Sequence, residues 1–600
     1  MSTSPPFPLD APNLTHLWAR MLIEELVRLG VHRFFAAPGA RSTPLTVAVA
    51  RHPDADVVMH VDERGNAFAA LGHARADGAP AAWITTSGTA VANGVPAVVE
   101  ASVDGVPMVL LTADRPPELR GTGANQTIDQ VKLFGDFVRH HVDVPPPSEA
   151  IDPAYVLTTV DQAVHRARRV PAGPVHLNCG FRKPLEPVDD PPSAPIPDAV
   201  TDWARSDGPY TRYPTPDVGP DAAQIEDVLE QLAPLDRGLL VAGRLDTAAE
   251  AEAVQRLARR LGWPLVPDLT SRLRIGPVPE GTVVPFADLV LTSDRARRRL
   301  RPDAVLHLGG RAVSKRLRLF LREAAPAVRA VVRPTPARLD PDHRVTHHIE
   351  AGVAPFVDAM LARLEARDGS SPWRRAWGVA NERVRTVVDE HLAAGELTEP
   401  AVATMLSRER PSGHALLAGN SMPVRDLNRH AAPDGGSGPA YANRGASGID
   451  GTVATAAGLA VGHQGPATVV LGDLALWHDL NSLALLRDRP VVLVVINNDG
   501  GGIFHFLPIR DHDEVFEPYF TTPQHRSFED AAKTFDLTYA HPASMESLRA
   551  AYRDACDRSG PSLIEVDTDR RRNREVHEAI EQRAGAAIDQ IENWPGPGTA

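Results

Sequence analysis

A chain of 600 residues, 43% of them hydrophobic, is long enough for roughly three or four domains of about 150 residues, each with its own core. Its net charge of -13 argues against a nucleic-acid-binding enzyme, which needs a basic face, and favours small-molecule chemistry. With only Cys179 and Cys556 there is no disulfide framework and no thiolate metal site.

The first eight residues lack the basic and apolar regions of a signal peptide, and no apolar run approaches the ~20 residues of a membrane helix. A cytoplasmic protein without membrane insertion is expected. Leu17, Trp18, Met21, Leu22 and Leu26 form a helical stripe, and Phe34-Phe35, 57–61, 82–84 and 108–111 read as strands. The alternation predicts a doubly wound parallel sheet over 1–190. A Pro-rich stretch at 187–220 reads as an exposed linker. A second α/β domain, 210–368, has strands at 239–242 and 305–308. Its basic residues from Arg272 to Arg318 read as a solvated helix face, with an anion-binding pocket as the alternative. After a boundary near 367–372, a helix over 373–394 opens the third domain, 369–600. The 23 His residues show no HExxH or paired-ligand spacing, and His478, His505 and the His140-His141 pair read as polar surface.

The most informative stretch lies in that last domain. Apolar 467–471 reads as a buried strand delivering Asp473, and 491–496 as a second strand delivering Asn498, with 474–488 as the crossover helix. A right-handed βαβ unit brings both strand ends to one edge of a parallel sheet. A carboxylate, an amide oxygen and the backbone of Gly500-Gly501-Gly502 suit a hard cation that also holds a diphosphate. This spacing resembles the metal-diphosphate motif of thiamine-diphosphate enzymes. Within that reading, Glu63, at a strand-to-helix junction in HVDERGNAF, resembles the glutamate that meets the N1′ atom of the aminopyrimidine. A dry wall that raised its pKa would suit proton exchange there.

Further blocks, at 37–45 (APGARSTPL), 86–93 (TSGTAVAN), 111–119 (LTADRPPEL), 123–126 (GANQ), 419–425 (GNSMPVR), 443–451 (NRGASGIDG) and 502–504 (GIF), resemble those of the MenD family. They are spread over most of the chain in family order, and the Gly472-Asp473-Leu474 triplet agrees with that family. The resemblance implies decarboxylation of 2-oxoglutarate and addition of the resulting carbanion to isochorismate, with thiamine diphosphate and Mg²⁺, or Mn²⁺ in its place, as cofactors. It implies Glu63, Arg41, Gln126, Arg425 and Arg444 as catalytic, and Arg115, Asn125, Lys315, Ser421, Ile503, Phe504 and Leu507 as substrate-binding. Ser87, Gly88, Asn420, Ser421, Ile449, Gly472, Asp473, Leu474, Asn498, Gly500 and Gly501 would join Glu63 around the cofactor, with Asp473, Asn498 and Gly500 on the metal. Ser87 and Gly88 are also expected to cap the helix that follows them. Arginine forks suit the dicarboxylates by bidentate contact. The family commonly has Ser where this chain has Ala40, which removes one side-chain hydrogen bond near the substrate. The resemblance also implies a homodimer or homotetramer with active sites at subunit interfaces. The alternatives are another thiamine-diphosphate 2-oxoacid enzyme or a non-catalytic ligand-binding homologue.

Overall fold

A computed structural model describes residues 7–214, 218–276, 282–365 and 371–595. The expected boundary at 367–372 lies partly outside these residues, as do the chain start and 215–217 of the expected linker. The described chain divides into two compact units, the first comprising 1–216, 443–464 and 478–487 and the second comprising 217–442, 465–477 and 488–600.

The first unit holds a six-stranded sheet of β1 (Arg33–Ala36), β2 (Asp56–Met59), β3 (Ala81–Thr85), β4 (Met108–Asp114), β5 (His141–Val144) and β6 (Pro174–Gly180), in the order β2-β1-β3-β4-β6-β5. All pairs are parallel. The inner strands β3, β4 and β6 are buried at every position, as expected of a sheet covered on both faces. The edge strand β2 is mostly exposed and ends at Met59, two residues before the expected limit.

Helices Glu63–Asp77 and Thr452–His463 pack closely in this unit through glycine. A Cβ at Gly72 would fall 2.2 Å from the Thr455 carbonyl oxygen, and one at Gly458 would fall 1.9 Å from that of Ala69. The 187–220 stretch departs from expectation, because it contains helix Asp198–Ala204, which buries Val200 and Trp203. Trp203 Nε1 donates to Glu25 Oε2 at 2.7 Å and the Tyr210 amide donates to Glu25 Oε1. Burial, reinforced by Asp161, raises the Glu25 pKa to about 9.

The second unit holds two sheets. One consists of β7 (Gly238–Ala242), β8 (Leu265–Pro267), β9 (Ala304–Leu308), β10 (Val328–Arg333) and β11 (His347–Glu350), in the order β11-β10-β9-β7-β8. The other consists of β12 (Ala415–Ala418), β13 (Ala440–Tyr441), β14 (Ala467–Gly472), β15 (Val491–Asn497), β16 (Thr538–Ala540) and β17 (Ser562–Asp567), in the order β13-β12-β14-β15-β17-β16. Both are parallel throughout. The three all-parallel sheets with interleaved helices confirm the α/β class and its doubly wound pattern. Helix Pro372–Ala393 matches the expected 373–394. Its Trp373 and Trp377 join Val576, Ile580 and Ala584 of helix Arg570–Asp589 in one core cluster.

The basic run is neither a solvated face nor wholly free for a ligand. Arg274, 1% exposed, donates to the Asn428 and Ala431 carbonyls, and Arg316 pairs with Asp288 and Glu581. Arg295 and Arg299 hold the carbonyls of Ile591 and Trp594, and Arg318 pairs with Asp342.

Two outcomes follow from this packing. Gly458→Ala should lower the melting temperature although alanine favours helix by about 1 kcal/mol, because overpacking against a backbone carbonyl costs about 1–3 kcal/mol. Thermal unfolding of the variant reads the sign. For Glu25, whose folded pKa is raised from 4.5 to about 9, the native state binds the extra proton, so stability present at low pH is lost as pH climbs through that window. Denaturant titrations across the window should show this slope in the wild type and a flatter one in Glu25→Gln.

Candidate functional site

In the first unit, the segment after β3 is clamped from both sides. Ser87 Oγ donates to the Gln126 carbonyl at 3.2 Å, while Gln126 Nε2 donates to the Ser87 carbonyl at 2.9 Å. Ser87 therefore does not cap helix Thr89–Ala92 as expected, since its hydroxyl is already engaged, and the N-cap position, Gly88, makes no side-chain bond. The Gly88 amide donates to Gln130 Oε1 at 3.0 Å in a backbone of φ 83°, where glycine is favoured. Gln126 has φ 54°, and neighbouring Asn125 is exposed.

Arg41 and Arg115 are each 8% exposed. Arg41 Nη1 donates to the Phe181 carbonyl at 2.7 Å, whereas Arg41 Nε and Arg115 Nη1 are buried without hydrogen-bond partners. Burial lowers both pKa values, and the Arg115 charge lowers that of Arg41 further. Two crowded guanidinium groups with unfilled donors form a receptor for an anion.

Glu63 opens helix Glu63–Asp77 behind the N-cap Asp62, which accepts from the Arg64 amide at 3.0 Å. The Glu63 side chain is half-buried, and its Oε2 accepts from Asn93 Nδ2 at 3.3 Å. Arg444 and Ile449 lie on a loop fixed by a residue that sequence reasoning missed. Buried Glu100 accepts from the amides of Gly445, Ala446 and Ser447 at 2.8, 2.6 and 3.3 Å. Ile449, 37% exposed, is not a core residue.

In the second unit, β14 and β15 run in register from Ala467 beside Val491 to Gly472 beside Ile496, which brings Asp473 and Asn498 off neighbouring strand ends. The crossover departs from the single expected helix: a short helix, Asp473–His478, is followed by a 3₁₀ segment, Leu480–Leu486. Buried Asp473 accepts from the Gly500 amide at 2.7 Å, and burial raises its pKa to about 6. A bound cation would reverse that shift. Gly500 has φ 131°, and a Cβ there would meet the Thr521 carbonyl oxygen at 2.0 Å, so no other residue fits. A Cβ at Gly472 would meet nothing within 4 Å, which leaves open space beside half-buried Leu474.

Asn498 carries the sharpest signal. Its Nδ2 donates to Glu399 Oε1 at 2.9 Å, which fixes the amide so that its buried Oδ1 faces away without a partner. That orphaned oxygen, the Asp473 carboxylate and the Gly500–Gly501 backbone fit a hard cation and its diphosphate. Glu399 also accepts from Thr568 Oγ1 at 3.1 Å, and burial, then the Asp426 charge, raises its pKa to about 8. Sequence reasoning missed it because an acid at a helix start is ordinarily a dipole partner.

Ser421, after buried Asn420, holds φ 72° and ψ -127°, a strained conformation for a non-glycine residue that costs about 1–3 kcal/mol. Its carbonyl accepts from Arg425 Nη1 one turn on. Ile503 and Phe504 lie half-buried on the 3₁₀ segment Gly502–Phe506, with Phe504 set edge-on to Phe520, and Leu507 is exposed. Lys315 is exposed at the start of helix Lys315–Ala324, where it lines a cavity of about 500 Å³ with Arg311, Arg318 and Arg329. Of the histidines read as surface, His478 is exposed, but His505 is buried and stacks edge-on against Phe516.

Comparison with known proteins agrees with this geometry. Residues 18–133 match the N-terminal TPP binding domain of thiamine pyrophosphate enzymes, 196–418 match the thiamine pyrophosphate middle domain, and 435–566 match the C-terminal TPP binding domain. A relative from Salinibacter ruber, a 2-succinyl-5-enolpyruvyl-6-hydroxy-3-cyclohexene-1-carboxylate synthase, is 64% identical over 97% of this chain and 98% of its own. This chain belongs to that synthase family, MenD, among the thiamine pyrophosphate enzymes. Synthases of the same name from Rubrobacter xylanophilus and Chlorobium phaeobacteroides are 53% and 43% identical, over 95% and 97% of this chain and 98% and 100% of their own. Ser87 and Gly88 lie within the matched N-terminal TPP binding domain, and Asp473 and Gly500 within the matched C-terminal one.

If Glu399 orients Asn498, Glu399→Ala should weaken Mg²⁺-dependent retention of thiamine diphosphate by about 10–100-fold, the usual worth of a residue behind a metal ligand. Glu399→Gln, whose amide oxygen still accepts from Nδ2, should restore most of it. Calorimetric titration of both variants reads the difference.

Proposed function

We propose that this protein decarboxylates 2-oxoglutarate and joins the remaining four-carbon unit to isochorismate, giving 2-succinyl-5-enolpyruvyl-6-hydroxy-3-cyclohexene-1-carboxylate on the route to menaquinone. The observation that carries the reading is the orphaned Oδ1 of Asn498 beside the buried Asp473 carboxylate, in a chain 64% identical to a synthase of that name. Asp473, Asn498 and the Gly500 backbone would hold Mg²⁺, or Mn²⁺, and through it the diphosphate. Thiamine diphosphate, when bound, supplies the electron sink that makes loss of CO₂ from a 2-oxoacid feasible.

The remaining work falls to side chains. Glu63 would exchange a proton with the aminopyrimidine ring when the cofactor is bound, a task for a half-buried carboxyl group at a helix start. Arg41 and Arg115 offer buried, unfilled donors to substrate carboxylates, and Asn125 and Gln126 would add polar contacts. Arg425, Arg444, Lys315 and Ser421 supply further polar contacts, while Ile503, Phe504 and Leu507 form an apolar side. Ile449, exposed on its anchored loop, is available to press against the cofactor. Ser87, Gly88, Asn420, Gly472, Leu474 and Gly501 complete the cofactor surroundings. The working form is a homodimer or a homotetramer.

Purified protein given Mg²⁺, thiamine diphosphate, 2-oxoglutarate and isochorismate should release CO₂ and yield the succinylated product by mass spectrometry. Glu63→Gln should bind the cofactor normally yet slow C2–H exchange of the bound coenzyme by orders of magnitude, followed by NMR. Wild-type exchange in that variant removes Glu63 from the role, and absence of the coupled product refutes the reaction.

A further inference from the structure

Asp426 and His430 lie one turn apart on helix Met422–His430, and His577 approaches from helix Arg570–Asp589. Their ligand atoms all lie within 4.8 Å of one another, and the side chains are 3%, 1% and 2% exposed. Among the described residues this is the one group of His, Cys and acidic side chains disposed to hold a metal ion. Hydrogen bonding does not account for all of it. His577 Nε2 makes an ion-pair contact with Asp426 Oδ1 at 3.0 Å, whereas His577 Nδ1 and both ring nitrogens of His430 are buried without partners. Asn573, one turn before His577 on the same helix, is 3% exposed with both polar side-chain atoms unpartnered. So many unsatisfied polar atoms in one buried place call for a ligand.

We propose that Asp426, His430 and His577 bind a divalent transition-metal ion of the Zn²⁺ class, at a site separate from the diphosphate metal. Two imidazoles and one carboxylate form a borderline donor set that favours Zn²⁺ over the all-oxygen preference of Mg²⁺. Ligands about 2.0–2.1 Å from a tetrahedral ion stand about 3.3 Å apart, close to the 3.0 Å separation of Nε2 and Oδ1. Such an ion ties the helix that begins after Ser421 and carries Arg425 to the long C-terminal helix. Phe506, at the end of the segment that carries Ile503 and Phe504, packs its ring edge-on to His577 at 5.2 Å. On the proposed function, the ion thereby holds in place two elements that carry substrate-contact residues, Arg425 and the Ile503-Phe504 segment.

The test is metal content. Chelator-stripped full-length protein, given Zn²⁺ with Mg²⁺ in large excess and then desalted, should retain a single Zn²⁺ per chain by elemental mass spectrometry. Co²⁺ in its place should give the intense visible bands of a low-coordinate site. His430→Gln and His577→Gln, checked for folding by circular dichroism, should lose at least about a hundredfold in Zn²⁺ affinity, since even the residues behind metal ligands are worth about 10–100-fold. Asp473→Ala should retain the ion. Failure of the wild type to hold Zn²⁺ against Mg²⁺ overturns the proposal. So does retention by both histidine variants, or loss in Asp473→Ala alone, which would assign the ion to the diphosphate site.

Discussion

Every strand pair in the three sheets is parallel, and that constraint organises the rest of the molecule. Parallel neighbours cannot be joined by a tight turn, so each strand must hand the chain to a crossover, and the segments that leave the strands collect at one edge. The candidate residues sit on such segments. Arg41 comes after β1, Ser87 and Gly88 after β3, and Arg115 directly after β4. Asn420 and Ser421 follow β12, Asp473 follows β14, and Asn498 follows β15. Chemistry gathers there because backbone geometry leaves that edge free of strand-to-strand hydrogen bonds.

Polar atoms left unmatched in the interior occur at several of these places. A buried polar group without a partner costs about 1–3 kcal/mol, and Arg41, Arg115 and Asn498 each carry one. Ser421 adds backbone strain in the same kind of position. By contrast, most of the basic run from Arg272 to Arg318 is consumed by the fold, tying carbonyls and carboxylates across the second unit. A cluster conspicuous in composition is thus largely structural.

That contrast explains what the sequence disclosed. β14 and β15 were legible because a strand buried on both faces reads as an unbroken β-branched run, and the paired oxygens follow from where such runs end. β2 was less legible because it lies at an edge with most of its residues exposed. The crossover after Asp473 was read as one helix because its apolar content does not reveal a change of winding from α to 3₁₀. Ser87 was read as a helix cap because local spacing shows the nearest amides and not the carbonyl of Gln126, far along the chain. Glu100, Glu399 and the Asp426, His430 and His577 group have partners brought close only by tertiary packing, so no window of sequence contains both halves.

The glycine contact between helices Glu63–Asp77 and Thr452–His463 has a mechanical consequence. Phe68 lies against Gly451, Ala69 against Gly458 and His73 against Gly462, so the helices advance side by side in the same direction and begin at the same end. Glu63 is the first residue of one, and the loop bearing Arg444 and Ile449 leads into the other. At Gly72 and Gly458 the contact sets a backbone carbonyl against a bare Cα, which leaves little room for the two helices to slide past each other. That close contact couples the position of the acid to that of the loop.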